Sequence, residues 1–284
     1  MAIFTMKNDE ATVSITEHAS EIVSFKDAKT NTEYMWQGDS AFWAGRNPTL
    51  FPMVGSTWNK EIHIDGNVYH MGNHGFARNS DFTCVFHDDT RIVMELKDSE
   101  ETLKQYPFKF TLDIEYELQG SKLVITYHIT NNSDKDMPFN FGLHPAFNCP
   151  LHEGESQKDY KLVFSNIEEC PKGITSKDGY SIELDRETLE KTIVYHNPKS
   201  SYVALTNGEH GVRVDVVGYE WLAFWSAKNN APFVCIEPWH SHGDFEKNDV
   251  PFEKREGTMS LAPGRILTTA YAVTLFYNGA MINA

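Results

Sequence analysis

Long apolar runs are missing from this sequence of 284 residues. No stretch reaches the roughly 20 apolar residues that a membrane-spanning helix requires. The first residues, MAIFTMKNDE, are polar and mixed in charge, so they lack the basic and apolar regions of a signal peptide. We therefore expect a cytoplasmic protein that has no membrane partner.

Cysteine is also scarce, and its four copies, Cys84, Cys149, Cys170 and Cys235, are far apart. No CxxC pair occurs among them. In a chain of this length, such spacing is typical of separate, reduced thiols in a cytoplasmic protein. The spacing gives no support for a zinc site.

Basic residues are outnumbered, with 25 Lys and Arg against 40 Asp and Glu and a net charge of −15. No run of Lys and Arg reverses this balance locally. A surface this acidic repels nucleic acid and anionic lipid. Neither is expected as a partner, and a strongly anionic substrate would need its own basic pocket.

Common motifs of catalytic and cofactor sites are absent as well, including GxSxG, the Walker loop, HExxH and the dinucleotide fingerprint. One weak metal pattern remains, His240-x-His242 followed by Glu246. Two histidines spaced in this way on a strand face the same side and can share a metal. The rest of a cupin motif is missing, so we interpret these histidines as incidental to a loop and keep a metal-dependent β-barrel enzyme as an alternative.

Alternation of apolar and polar residues is the dominant pattern, and it is clearest at 265–277, RILTTAYAVTLFY. In 108–118, every second residue from Phe110 to Leu118 is apolar and the residues between them are mostly charged. This is the pattern of a half-buried antiparallel strand. Further strands are predicted at 11–16, 61–64, 67–71, 82–87, 90–96 and 122–130.

Helical signals are few. Residues 99–106 are expected to form two turns behind a capping Asp98, ended by Pro107, and 185–191 form another short helix. Strands do not alternate with long amphipathic helices, which argues against a parallel α/β fold.

No linker rich in Gly, Ser or Pro divides the chain, and the polar stretches 151–159 and 240–256 are interpreted as surface loops. We therefore predict an all-β fold with a single domain over residues 1–284.

Four segments place titratable residues among Gly, Pro and aromatic residues, at 43–55, 72–78, 140–149 and 232–244. Glu237 follows the apolar run 233–236 and is predicted at the end of a buried strand. A buried carboxylate is costly unless it has a partner, so Glu237 is an ion-pair partner of an arginine, a residue that emerges at the surface, or a general base. Arg46 and Arg78 suit either an ion pair or a ligand contact.

Two histidines in these segments admit two interpretations each. His144 lies in an apolar, aromatic stretch, where a histidine is either a satisfied core residue or a catalyst. His74 lies between Asn73 and Gly75, and the glycines at 72 and 75 either form a turn or allow the backbone to approach a ligand.

Together the four segments resemble the aldose 1-epimerase (galactose mutarotase-like) family, and most of all its LacX-like branch. The matching motifs are R-N-P-x-L-F-P at 46–52, H-G-F-A-R at 74–78, G-L-H-P-A-F at 142–147 and P-F-V-C-I-E-P-W at 232–239. The resemblance covers essentially the whole chain. It implies a β-supersandwich, in which curved antiparallel sheets stack around a carbohydrate cleft, and an isomerase of monosaccharides that requires no metal or redox cofactor.

The resemblance also implies roles for individual residues. His144 would protonate the ring oxygen, Glu237 would take the proton of the anomeric hydroxyl, and His74 would hydrogen-bond near the ring oxygen. Arg46 would bind sugar hydroxyls. A general acid or base step of this kind contributes roughly 10²–10⁴-fold to the rate.

Further substrate contacts are expected from Asn73, Arg78, Phe147 and Trp225. Phe147, Trp225 and also Trp239 could stack on the apolar faces of a pyranose, although core packing is the ordinary role of such side chains.

The sequence departs from the family at one contact. The family usually has a further acidic residue after the second histidine, but the best-aligned position here is Lys191, and Asp185 requires a shifted alignment. We leave this contact unassigned.

The H-G-F-A-R motif also resembles the hexose-6-phosphate branch, in which clustered arginines hold the phosphate. Only Arg46 and Arg78 are available for that here, so we favour an unphosphorylated aldose. A carbohydrate-binding protein without turnover is the alternative from another class, and either a monomer or a homodimer is expected.

Overall fold

The computed structural model describes residues 2–247 and 249–277. The described residues form 22 β-strands. In chain order they are β1 Ile3–Lys7, β2 Ala11–Thr16, β3 Ile22–Asp27, β4 Thr49–Leu50, β5 Glu61–Ile64, β6 Asn67–His70, β7 Thr83–His87, β8 Arg91–Lys97, β9 Phe110–Gln119, β10 Lys122–Asn131, β11 Met137–Phe139, β12 Gly142–Leu143, β13 Ala146–Asn148, β14 Lys161–Phe164, β15 Ser181–Glu183, β16 Ile193–His196, β17 Tyr202–Thr206, β18 Gly211–Asp215, β19 Trp221–Trp225, β20 Phe233–Trp239, β21 Met259–Leu261 and β22 Ile266–Phe276. The helices are α1 Glu100–Gln105, α2 Arg186–Leu189 and the 3-10 helices Ala77–Asn79, Gln157–Asp159 and Phe252–Lys254. The predicted all-β fold is confirmed.

Two large antiparallel sheets carry the fold. One has nine strands in the order β15-β14-β17-β18-β22-β10-β9-β8-β7, and the other has six, β16-β19-β20-β12-β4 with β13 beside β20. The main core contains side chains of both sheets. Phe164 of the nine-stranded sheet, for example, packs edge-on against Phe224 of the six-stranded sheet at 5.8 Å between ring centroids.

The predicted strands are present in this arrangement. In β9, the side chains from Phe110 to Leu118 are buried at every second position, as the alternation indicated. β9 and β10 pair closely, with Gln119 opposite Lys122. The turn between them is Gly120-Ser121, and the positive φ of Gly120, +60°, is a conformation that glycine adopts at little cost.

The six-stranded sheet has two different faces. On β20, alternate residues such as Val234 and Ile236 enter the main core. Cys235, between them, belongs to a smaller apolar cluster on the opposite face. Because successive side chains of a strand point to opposite faces, Glu237 lies on the same face as Cys235. This second face forms the floor of the candidate site.

Two local predictions need correction. The N-cap of α1 is Ser99, not Asp98, because the Ser99 side chain accepts a hydrogen bond from the Thr102 backbone in a capping box. Asp98 instead accepts a hydrogen bond from the backbone N–H of Phe110. Glu237 is also not at the end of its strand, since β20 continues to Trp239 with all of its residues buried.

The predictions about cysteines, membrane spans and domains have different outcomes. The four cysteines are free thiols. Neither α-helix of the described residues has the length needed to span a membrane. The single domain over residues 1–284 stays a prediction, and part of it, Met1, Asn248 and 278–284, lies outside the described residues.

Candidate active site

His144 and Glu237 face each other across neighbouring strands. β12 and β13 both pair with β20, and the two pairings share one register. That register places His144, in the interval between β12 and β13, directly opposite Glu237. Nε2 of His144 lies 3.3 Å from Oε2 of Glu237, and both side chains are buried.

Burial disfavours the charged form of both members of this pair. It raises the pKa of Glu237 well above its usual range and lowers the pKa of His144 well below its own. Both shifts arise because the charged form loses its hydration. The nearby His74 lowers the pKa of His144 further, and the Trp239 indole opposes the rise at Glu237. In the protein alone, burial therefore favours the neutral form of both side chains.

Two buried atoms of the pair make no hydrogen bond to any described residue. They are Nδ1 of His144 and Oε1 of Glu237. A buried polar atom without a partner costs roughly 1–3 kcal/mol. Atoms of this kind at the floor of a cavity are suited to a ligand that carries hydroxyl groups.

His74 is held by its own backbone and by Gly55. The backbone N–H of Gly55 donates to Nδ1 of His74 at 3.0 Å, and the backbone N–H of His74 donates to the carbonyl oxygen of Gly55 at 2.6 Å. Because Nδ1 accepts a hydrogen bond, the ring proton resides on Nε2, which makes that nitrogen a donor. The ring lies edge-on to His144, with 5.5 Å between centroids.

A cavity of about 740 Å³ opens above these three side chains. Its volume falls within the roughly 300–1,000 Å³ that is usual for small-molecule sites. The Trp43 ring lies over the ring of His144, with 4.9 Å between ring centroids and a tilt of 34°. The Trp225 ring meets His144 edge-on, with 5.5 Å between centroids. Trp239 and Phe245 also line the cavity. Flat aromatic walls around polar atoms match the mixed apolar and polar faces of a sugar ring.

Two basic residues also line the cavity, Arg78 and Lys191. No described residue makes a hydrogen bond or an ion pair with the Arg78 guanidinium. Burial lowers the pKa of Arg78, and Glu21 opposes this. Lys191 pairs at 2.7 Å with Glu187, and both of these side chains are exposed. Glu237 is the one carboxylate among the described lining residues.

The structure brings most of the predicted site residues together. Those that line the cavity are Asn73, His74, Arg78, His144, Trp225 and Glu237, together with Trp239.

Arg46 and Phe147 do not line the cavity. The Arg46 guanidinium turns towards Glu21, 3.5 Å away. Phe147 is fully buried in the main core because it lies on the core-facing side of β13, opposite to its neighbour Ala146. From there Phe147 has no surface on which a sugar could stack, so that expectation is wrong.

Sequence reasoning missed Trp43. Its position in segment 43–55, two residues before a glycine and close to Arg46, was the available signal. The two positions considered for the acidic contact lie in different places. Asp185 caps α2 by accepting a hydrogen bond from the backbone N–H of Thr188 and borders a different cavity, whereas Lys191 reaches the site.

The alternative metal set is not assembled. Nε2 of His240 lies 2.7 Å from the hydroxyl of Thr269, and the His242 ring stacks on Phe245. Among the described residues, the one group of at least three potential ligands consists of other side chains, His144, Cys235 and Glu237.

Comparisons with known proteins agree with this geometry. The family model for aldose 1-epimerase matches residues 2–262. The chromosomal protein LacX of Lactococcus lactis subsp. lactis is 33% identical over 263 residues, which are 82% of this chain and 86% of that protein. A galactose mutarotase related enzyme from Lactobacillus acidophilus is 30% identical with a TM-score of 0.92, over 98% of this chain and 99% of the other.

A galactose mutarotase-like protein from Lactobacillus casei is 28% identical with a TM-score of 0.88, over 97% of this chain and 100% of the other. Both structural similarities extend over nearly the whole chain, and the residues matched by the family model include His144 and Glu237. With the family model matching most of its length, this chain belongs to the aldose 1-epimerase family.

Proposed function

We propose that this protein interconverts the α and β anomers of an unphosphorylated aldohexose, such as glucose or galactose. The observation that carries the proposal is the contact of 3.3 Å between His144 and Glu237 at the floor of the aromatic cavity. Anomer exchange requires one group that removes the O1 proton and one that protonates the ring oxygen as the C1–O5 bond breaks. These two side chains are of the right types to act as that base and acid.

In the proposed reaction, Glu237 takes the proton of the anomeric hydroxyl and His144 gives a proton to the ring oxygen. The resulting aldehyde rotates about C1–C2, and closure of the ring reverses both transfers. His74, with Nε2–H as its donor, supports the ring oxygen. Trp43 and Trp225 hold the apolar faces of the sugar.

In the resting state His144 is neutral and Glu237 is protonated. In the reactive state His144 is the imidazolium and Glu237 is the carboxylate. Both states hold the same number of protons and differ only in the position of one of them. Burial favours the neutral pair. The sugar hydroxyls that contact both side chains would supply hydrogen bonds that stabilise the charged pair, and such bonds are strongest when one partner is ionised.

The test is the rate of anomer exchange with freshly dissolved α-glucose and α-galactose, followed by polarimetry or exchange NMR. The Glu237→Gln and His144→Asn variants should each lose about 10²–10⁴-fold in kcat. Glu168→Gln is a matched control, because Glu168 is also buried and the amide oxygen can still accept the hydrogen bond from the Ser200 backbone. Unchanged rates in folded Glu237→Gln would refute the assignment of the base, and saturable sugar binding without any acceleration would favour a binding protein.

A phosphorylated aldose is the second candidate substrate. It is favoured by Arg78, whose guanidinium has no partner among the described residues, and by Lys191 on the same cavity. A phosphate is well matched to a forked guanidinium. If it is the substrate, kcat/KM for glucose 6-phosphate will exceed that for glucose and Arg78→Met will abolish the difference. A kcat/KM for glucose that exceeds that for glucose 6-phosphate would refute the phosphorylated substrate.

A further inference from the structure

Cys235 is a buried thiol that the proposed chemistry does not use. It precedes Glu237 by two residues on β20, so the two side chains share the face that forms the floor of the cavity. Cys235 is fully buried. His144, Cys235 and Glu237 each offer one potential ligand atom, and these three atoms lie within 4.8 Å of one another.

Cys235 and Glu237 each have one small neighbour across the sheet. Ala146 is opposite Cys235 on one side, with Trp225 on the other side, and Ala223 is opposite Glu237. Both alanines are buried. Larger side chains at these positions would separate the three potential ligands, whereas alanine lets them converge.

The ligand set matches one class of metal ion. Thiolate, imidazole and carboxylate together are typical of Zn²⁺ and of its spectroscopic substitute Co²⁺, whereas Mg²⁺ and Ca²⁺ prefer oxygen ligands alone. Bond lengths of about 2.0–2.3 Å to zinc correspond to separations of roughly 3.3–3.7 Å between ligand atoms in a tetrahedron. The His144–Glu237 contact of 3.3 Å already has this value.

Charge and access also fit. A divalent cation with one thiolate and one carboxylate is a neutral unit, which suits a site enclosed by Trp43 and Trp225. His144 and Glu237 line the cavity, so an ion can reach them and keep a fourth, open position towards it. Nδ1 of His144 and Oε1 of Glu237 are buried without a hydrogen-bond partner, so each of these side chains still has a polar atom available to a ligand.

We propose that His144, Cys235 and Glu237 form an inhibitory zinc site. Zn²⁺ binds to the imidazole, the thiolate and the carboxylate, and the protons of the thiol and the carboxyl group pass to solvent. The bound ion occupies the acid and the base and competes with the sugar. This site goes beyond the proposed function, because binding of the metal does not depend on turnover.

The decisive experiment uses Co²⁺ as the probe on the full chain. A stoichiometry of one ion per chain and a thiolate-to-cobalt charge-transfer band in the near ultraviolet are expected, and Zn²⁺ should displace the cobalt. Cys235→Ala should lose the band and weaken Zn²⁺ binding by at least about tenfold, the scale seen when a metal site loses a supporting group. Cys149→Ala, which removes another fully buried thiol, should keep both.

Two results would overturn the proposal. One is the absence of a charge-transfer band in the wild type, and the other is a Zn²⁺ affinity that is unchanged in Cys235→Ala. Thermal unfolding verifies that both cysteine variants are folded, and Glu237→Gln provides a second ligand variant in which Zn²⁺ should also bind more weakly. These readouts do not involve sugar turnover, so they separate failure of the metal site from failure of the proposed enzymatic function.

Discussion

His74 combines two unusual properties in one residue. Its backbone is left-handed, with φ of +65°, and its side chain accepts a hydrogen bond from the Gly55 backbone. Burial and, secondly, the charge of Arg78 lower the pKa of His74 to about 4. A histidine in this setting is a neutral hydrogen-bonding residue, which supports an assisting role beside His144 in preference to the role of the acid.

The lowered pKa of His74 has a consequence for stability. The unfolded chain binds a proton at this histidine at a higher pH than the folded protein does, so stability is lost as the pH falls below the ordinary value of 6.5. Asparagine tolerates positive φ, and its side-chain oxygen can accept the Gly55 hydrogen bond. His74→Asn should therefore reduce the stability lost between pH 7 and pH 5 by roughly 1–2 kcal/mol.

Urea unfolding of the two proteins across this pH range measures the effect. The difference in free energy of unfolding between the two proteins should be constant above pH 7 and should shift in favour of His74→Asn below pH 6.5. A difference that is independent of pH would mean that His74 does not titrate at a lowered pH in the folded state.

Residues of the candidate site differ in how well the sequence predicted them. His144 and Glu237 were identified by type and by resemblance, and the shared register of β12 and β13 on β20 explains why they meet. Phe147 shares a motif with His144 but lies on the core face of β13, because successive side chains of a strand point to opposite faces. Arg46 lies outside the cavity, with its guanidinium towards Glu21. Trp43 was not predicted as a site residue because its contact with His144 links residues about 100 positions apart.

Among the structural elements, the turn that carries His74 depends on one glycine. Gly75 has φ of +69°, and a Cβ there would lie 2.3 Å from the carbonyl oxygen of Phe51. Gly72 lies in the same turn, and a Cβ there would meet no atom within 4 Å. The turn thus requires glycine at one position and not at the other.

This difference leads to a paired test. Gly75→Ala should lose at least about 2 kcal/mol of stability, through the backbone clash and the strain of positive φ, and should lower activity by displacing His74. Gly72→Ala should remain within about 0.5 kcal/mol of the wild type. Thermal unfolding and anomer-exchange rates of both variants provide the measurement, and equal effects of the two changes would contradict the role assigned to Gly75.

Element boundaries show where local signals compete. The helix near residue 100 and its end before Pro107 followed from propensity, but its cap is Ser99. Asp98 is equally suited to capping by type, yet it is occupied by the backbone N–H of Phe110 at the start of β9. A partner that lies 12 residues away decided between two neighbouring cap residues.

For the whole molecule, the last strand holds the large sheet together. β22 pairs with β10 on one side and with β18 on the other, in the middle of the nine-stranded sheet. Val273 in this strand is fully buried between Leu123 and Val214. Both of these neighbours are buried and apolar.

Val273→Asp should therefore abolish folding, because an unpaired buried charge costs several kcal/mol and total stabilities are only about 5–15 kcal/mol. Ile266→Asp is the matched control, since Ile266 lies in the same strand with 59% of its surface exposed. It should stay within about 0.5 kcal/mol of the wild type. Circular dichroism and soluble yield measure both, and a folded Val273→Asp protein would show that this strand is dispensable.

The sequence by itself determined the strand content, the buried face of β9, and the types of residue that the candidate site contains. These properties are local, because alternation and turn residues act over a few positions. The tertiary structure decided which candidates share a cavity, that Lys191 and not Asp185 borders it, and that Cys235 joins His144 and Glu237. Those facts depend on strand pairing between distant segments, which no local pattern specifies.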